Sequence, residues 1–323
     1  MKSALCLLLA AAAAWPAAAS VPDPARLVSL AGSVLRIEAP RERGGLAVGS
    51  GVAVGPDLVI TNCHVTREAL DIQVVRGGVR WSASAQAADV DRDLCLLEVP
   101  GLQASPVPLG HTGALAIGQH VAALGYTGGV GLQNSPGEVV ELHRFDGGRV
   151  IQSTNWFTSG ASGGGLFDGN GALVGILTFR LRGGAAHYFA APVEWVRQLL
   201  DERRRDQFRR VMPLDTRRVP YWQAPASTQP RFLRAQVMQR DQRWGELALL
   251  SYDWLRADAE DAEPWHLLGT ALERLERPTE ARMALECSLR LAPAHATVRA
   301  QLEALRARSD QPDPPADCRP DHH

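Results

Sequence analysis

The 323-residue chain has a single lysine, Lys2, so its positive charge is almost wholly arginine, a bias for which we find no mechanistic reason. It also lacks an excess of charge of either sign: 34 basic residues stand against 35 acidic ones, the net charge is −1 and the pI is near 6.8. A nucleic-acid binder needs a basic excess, so that class of partner is set aside. The histidines have no ligand spacing with cysteines or acids, and no metal or other cofactor is expected. Long apolar runs are missing too. The longest, "ALCLLLAAAAAWPAAAS", is short for a bilayer core of about 30 Å and is broken by Pro16. Lys2 precedes it, and Ala17 and Ala19 are small residues where a signal peptidase reads, so residues 1–19 are expected to be a secretory signal. Cys6 lies in the middle of the run, the wrong place for a lipoprotein anchor. The expected location is periplasmic or secreted, with no membrane span after cleavage.

What is present reads as globular. Hydrophobic residues make up 46% and charged residues 21%, and the length suffices for two domains. Beyond the signal remain Cys63, Cys95, Cys287 and Cys318, an even set that reads as disulfides in an oxidising compartment; the cysteine count alone leaves three pairings open. From about Arg26 to Ala191, short β-branched runs such as "SVLRIEA", "LVITNCHV", "LCLLEV", "HVAALGY" and "ALVGILTF" alternate with Gly, Pro and Asp, the texture of an all-β sandwich or barrel. "VEWVRQLLDERRRDQFRR" then has helical spacing and closes a first domain, expected over 26–205. Prolines 213, 220 and 225 mark 206–229 as a linker, and 309–323 has the composition of a disordered tail. In between, 230–308 repeats at an offset of 34 residues: "LRADAEDAEPW" at Leu255 aligns with "LRLAPAHATVR" at Leu289.

The stretch "TSGASGGGLFD" holds Ser162 among glycines. A serine there is often only a turn residue, and a nucleophilic one needs a base and a group to orient that base. "VITNCHV" presents His64 at the edge of an apolar strand, and "DVDRDLCLLEV" places Asp93 before another. "GASGG" also fits the nucleophile elbow of α/β-hydrolases, but that fold orders its triad Ser, acid, His. Here His64 and Asp93 precede Ser162, His187 is the only histidine soon after it, and a hairpin rather than a helix follows.

"GSGVAV", "TNCHV", "DLCLL" and "GASGG", in that order, resemble the trypsin-like serine proteases, most closely the HtrA/Deg type. The resemblance covers about residues 28–200 and implies a double β-barrel with His64, Asp93 and Ser162 as catalytic triad. It implies an oxyanion hole at Gly160, Ala161 and Ser162 whose glycines permit unusual dihedrals. It brings the Cys63 and Cys95 segments side by side, so a Cys63–Cys95 disulfide is expected, leaving Cys287 with Cys318. Ala161 departs from the Asn or Asp that both branches carry before the serine, which implies that cleavage of the N-terminus is not the switch. Trp156 and Phe157 are expected to border an apolar pocket without an acid, and the strand carrying Ile176, Leu177 and Thr178 to pair with extended protein or peptide substrate.

The 34-residue period resembles a tetratricopeptide repeat, with Trp265, Leu268 and Gly269 opening one unit, Ala281 and Leu285 on its second helix and Pro293 ending it. Arg231 and Arg234 make the preceding unit degenerate. An all-α module of this kind after the β domain would present a concave face to a protein partner. The expected function is a serine endopeptidase acting on unfolded segments; the alternatives are a catalytically silent binding scaffold and an esterase on the same triad.

Overall fold

The computed structural model describes residues 23–128, 131–181, 188–201, 207–308 and 318. The expected signal (1–19), His187 and the expected tail, apart from Cys318, lie outside these residues.

The β-branched runs form two sheets. After a short helix α1 (Pro24–Ala31), strands β1 (Val34–Pro40), β2 (Leu46–Gly55), β3 (Leu58–Thr61), β4 (Gln73–Arg76), β5 (Val79–Ser82), β6 (Ala85–Asp89) and β7 (Leu94–Glu98) build the first, with the four-residue helix α2 (Cys63–Thr66) after β3. The second contains β8 (His120–Thr127), β9 (Gly131–Phe145), β10 (Gly148–Ser153), β11 (Gly165–Phe167), β12 (Leu173–Arg180) and β13 (Tyr188–Pro192). This second sheet closes into a barrel in the order β10-β13-β12-β11-β8-β9. The first does not close. It is an eight-stranded sheet, β14-β6-β7-β3-β2-β1-β4-β5, in which β14 (Arg209–Arg210) caps one edge. Arg209 and Arg210, expected at the end of a helix, therefore pair with Gln86 and Ala85, and the described helix α3 (Val193–Leu200) stops before them. The expected double barrel is thus an open half-barrel packed on a closed barrel, because β5 finds no partner beyond β4.

Five helices follow: α4 (Arg231–Arg240), α5 (Trp244–Ala257), α6 (Ala262–Arg274), α7 (Pro278–Leu291) and α8 (Ala296–Ala307), each packed on the next in chain order. α5 and α7 begin 34 residues apart, at 244 and 278, as do α6 and α8, at 262 and 296. Gly269 permits the α6–α7 contact, since a Cβ there would lie 2.7 Å from Leu285 Cγ.

The segment 207–229, expected as a linker, is a strap bound to the half-barrel. Leu214 N–H donates to Arg67 O (2.8 Å), Gln86 Nε2 to Met212 O (3.0 Å) and Tyr221 N–H to Asp91 O (2.9 Å). Proline removes donors and fixes φ, but it leaves carbonyls and apolar faces free to bind. The strap also completes an aromatic cluster joining the closed barrel to the helices. Phe232 of α4 stacks on His143 of β9 (centroids 4.4 Å apart) and lies against Phe145, Phe189 and Tyr221 at 6.2, 6.3 and 6.4 Å. His143 is fully buried there, held by Glu263 of α6 (Nδ1 to Oε1, 2.8 Å) and Gln152 of β10 (Nε2 to Oε1, 3.0 Å). Burial pushes the Glu263 carboxyl up to about 7 against the pull of His143. For His143, burial opposes the charged ring, but Glu263, Glu141 and Gln152 together outweigh it and the pKa rises. Close by, burial holds His266 down to about 4, so that imidazole is neutral at pH 7.

Phe232 is 1% exposed and its truncation leaves a cavity at this junction. Phe232→Ala is expected to lower stability by about 3–5 kcal/mol in denaturant unfolding; a loss below 1 kcal/mol would show that the helices are not held by this contact.

Candidate active site

His64 and Asp93 sit on two short irregular pieces at the ends of buried strands. β3 ends at Thr61, and Asn62 caps helix α2, which places the His64 ring at the edge of the half-barrel. Asp93 occupies the turn before β7 with φ +61°, a left-handed conformation that Asp tolerates better than most residues. Cys63 and Cys95 form a disulfide, with Cα atoms 4.9 Å apart, that ties these two pieces together across 32 residues. Closing a loop of that length contributes roughly 3–4 kcal/mol in the chain-entropy picture. Cys287 and Cys318 form the other disulfide.

Asp93 is 1% exposed. A carboxylate taken from water needs replacement donors, and three reach it. His64 donates its backbone N–H to Oδ1 (2.8 Å), and its ring Nδ1 lies 2.6 Å from Oδ2. The third is Trp222 Nε1, 3.2 Å from Oδ2, contributed by the strap. The Trp222 ring also meets His64 edge-on (5.8 Å, 84°) and stacks on Phe179 of β12 (5.1 Å, 9°). Beside it, Tyr221 is buried, and that burial, reinforced by the Asp93 charge, raises its phenol well above the usual value.

The Ser162 loop is fixed through its carbonyls. Ser50 of β2, fully buried, donates Oγ–H to Gly160 O (2.7 Å) and its backbone N–H to Ser162 O (2.8 Å). Ser50 Oγ in turn accepts from Tyr126 N–H at 2.8 Å. The amide groups are left over: among the described residues Gly160 N–H and Ser162 N–H have no protein acceptor, whereas Ala161 N–H donates to Thr158 O (3.1 Å). Positive φ at Gly160 (96°) and Gly163 (86°) gives the loop this shape. Ser162 Oγ lies 3.5 Å from Thr178 O and makes no hydrogen bond to His64. The segments that carry the two groups nevertheless approach each other. A Cβ on Gly49 would lie 2.6 Å from Val65, next to His64, and 3.2 Å from Ser162 O, and Thr178 Oγ1 accepts from Asn62 Nδ2 at 3.3 Å.

A cavity of about 120 Å³ lies beside the loop, lined by Trp156, Phe157, Ala161 and Leu177 together with Gln133 and Ser135. Trp156 is 53% exposed and Phe157 5%. Ile176 and Thr178 do not line it: their side chains are buried, Ile176 in the apolar core and Thr178 hydrogen-bonded to Ile176 O (2.7 Å). Any contact they make with a ligand goes through the β12 backbone. On its β11 side that edge is paired through Leu177, whose N–H donates to Gly164 O and whose carbonyl accepts from Gly163 N–H (both 2.8 Å), and the strand pairing with β11 goes no further. Trp222 and Ser50 carry this geometry without having been expected to. "GSG" pointed to Ser50 only as a motif, and no local signal marks a tryptophan in a proline-rich segment.

Residues 49–176 match the profile of the trypsin-like peptidase domain. The chain is 31% identical over 179 residues to mouse "Serine protease HTRA4", covering 51% of this chain and 36% of that protein. It is 30% identical over 174 residues to "Serine protease Rv3671c" of Mycobacterium tuberculosis, covering 48% and 43%. The chain thus spans less than half the length of the curated relatives it matches. Among solved structures, the active form of the Rv3671c protease superposes with TM-score 0.51 at 26% identity over 60% of this chain and 93% of that one. The HtrA-type protease AlgW with a tripeptide superposes with TM-score 0.52 at 26% identity, over 57% and 64%. The trypsin-like double-barrel architecture is therefore shared, and the helical region lies outside the profile match.

At Gly163 an added Cβ would meet Ser50 O at 2.1 Å and Thr61 Oγ1 at 2.4 Å. Gly163→Ala must therefore displace the Ser162 loop, and labelling of Ser162 by a fluorophosphonate is expected to slow on the order of 10²-fold. Unchanged labelling would mean that Ser162 does not depend on this loop geometry.

Proposed function

We propose that this chain is an HtrA/Deg-type serine endopeptidase that works outside the cytoplasm on unfolded protein segments. The observation that carries the reading is the 2.6 Å contact of His64 Nδ1 with the buried Asp93 carboxylate, beside a loop that leaves two amides unpaired. In the proposed cycle Ser162 Oγ turns from Thr178 O to His64 Nε2, attacks the scissile carbonyl and passes its proton to the imidazole. Asp93 holds the Nδ1–H tautomer and stabilises the imidazolium, which returns the proton to the leaving amine. Gly160 N–H and Ser162 N–H receive the oxyanion, each such donor being worth roughly 10²–10³ in kcat. Water then releases the acyl-enzyme by the same route.

The small pocket by Trp156, Phe157 and Leu177 has no charged lining and suits a small or medium apolar side chain. The open β12 edge from Thr178 onward would add substrate as a strand, which selects extended or unfolded segments. Two disulfides favour an oxidising compartment, and among the described residues no helix is long and apolar enough to cross a membrane. The 34-residue spacing of the helices supports a tetratricopeptide-type module whose concave face takes a protein partner or substrate segment. One observation favours a silent scaffold instead: Ser162 Oγ is bonded to Thr178 O rather than to His64. An esterase would use the same groups.

Ser162→Ala is expected to abolish fluorophosphonate labelling and to lower hydrolysis of an unfolded test protein on the order of 10⁴–10⁶-fold. N-terminal sequencing of the released peptides defines the cleavage sites. Labelling without proteolysis but with ester hydrolysis would support the esterase, and no labelling of the native chain the scaffold. Trp222→Phe keeps the ring stack but removes the donor to Asp93; kcat is expected to fall several-fold with KM little changed, as expected for a positioning role. A rise in KM alone would place Trp222 in substrate binding.

A further inference from the structure

Where α6 and α8 meet β9, six ionisable side chains gather away from Ser162: Glu141 and His143 of β9, Asp261, Glu263 and His266 at the start of α6, and His295 before α8. Some are matched. His143 is bonded to Glu263, and His295 Nε2 lies 3.3 Å from Glu141 Oε2. Three buried atoms have no partner among the described residues: Asp261 Oδ2, Glu263 Oε2 and His295 Nδ1. Their residues are 6, 6 and 4% exposed, and all three line one cavity of about 230 Å³ together with Glu141. A buried polar atom left unbonded costs about 1–3 kcal/mol, so this junction is an electrostatically costly place in the fold. Water can fill such a space, but it does not account for the convergence of two imidazoles on a carboxylate.

Glu141, His266 and His295 each offer a ligand atom, and these atoms lie within 4.8 Å of one another. A tetrahedral ion with bonds of about 2.0–2.2 Å holds its ligand atoms roughly 3.3–3.5 Å apart, so small side-chain rotations close the set. The Glu141–His295 pair is already at that spacing. The two imidazole rings are 5.1 Å apart and inclined at 74°, which lets each aim a nitrogen at one point.

We propose that Glu141, His266 and His295 bind one divalent d-block cation of the zinc type and that the ion clamps the helical layer to the closed barrel. Two imidazoles with one carboxylate suit zinc and its neighbours rather than calcium or magnesium, which require oxygen-rich shells. Glu141 and His295 also line the cavity of about 230 Å³, so a water can reach their side of the site. Sequence spacing does not reveal the set, whose members are 125 and 29 residues apart (141, 266, 295). The expectation of no metal rested on that spacing.

The test uses the full chain stripped by chelator and titrated with Zn²⁺ by calorimetry, and with Co²⁺ by visible absorption. One equivalent of Zn²⁺ is expected to bind, with Co²⁺ giving the intense d–d bands of a tetrahedral nitrogen/oxygen site and Zn²⁺ raising the unfolding temperature by several degrees. His266→Ala/His295→Gln is expected to weaken binding at least 100-fold. The double variant keeps His322 and His323, so uptake that survives in it would assign the ion to the C-terminal histidines and overturn the proposal. Absence of a tetrahedral Co²⁺ spectrum in the native chain would overturn it without reference to any variant.

Discussion

The carboxylate of Asp93 is the group around which the half-barrel is organised. Removing a charge from water costs several kcal/mol unless hydrogen bonds replace its hydration. The chain supplies that replacement from two separate places. His64 contributes a backbone and a ring donor because a helix of four residues follows β3 directly, and the strap contributes the Trp222 indole. The Cys63–Cys95 bridge and the left-handed turn at Asp93 hold the two segments in the register that makes this possible. None of these features would be stable alone. A left-handed aspartate, a one-turn helix and a buried charge each cost free energy, and they persist because each satisfies the others.

The serine loop obeys a complementary logic. Ser50 is fully buried and binds the carbonyl oxygens of Gly160 and Ser162, so the loop is held rigidly while their amides stay unbonded. Amides of Ala161, Gly163 and Gly164 also hold the loop, but had those of Gly160 and Ser162 been used in the same way, neither would remain to receive an anion. Gly163 is needed for the same reason: the chain must turn tightly against Ser50 O and Thr61 Oγ1, and only a residue without Cβ fits there.

Much of this was legible in the residues. "LVIT", "LCLLE" and "LVGILTF" are apolar, β-branched runs whose strand character needs no tertiary help, and polar residues at their ends mark places where the chain emerges from the core. The offset of 34 residues between helices was legible because repeats preserve spacing even when Arg231 and Arg234 replace apolar residues. The open edge of the first sheet was not, since closure depends on whether β5 finds a partner and not on its own composition. Arg209 and Arg210 read as the end of a charged helix, yet an edge strand of two residues is set by its neighbour β6. Trp222 and the Glu141, His266 and His295 cluster escaped for one reason. Their significance lies in contacts spanning from 29 to 154 residues, for which a single sequence has no local signature.

The strap changes how the two halves of the chain can influence each other. Gln229, just before α4, donates to the carbonyls of Trp222 (3.2 Å) and Ala224 (2.9 Å), while Trp222 itself bonds Asp93. Phe232 on α4 shares an aromatic cluster with Tyr221. Any shift of α4 is therefore transmitted through fewer than a dozen residues of backbone to the group that orients His64. A molecule bound to the helices alters the His64–Asp93 pair only if it prefers one of two arrangements of this path, because binding both equally shifts no population. The strap's hydrogen bonds to Arg67, Gln86 and Asp91, with the burial of Tyr221, argue that one arrangement dominates. A regulator acting through the helices would then work by loosening the strap, and its effect would be limited by the free energy with which Trp222 is held between Phe179, His64 and Asp93.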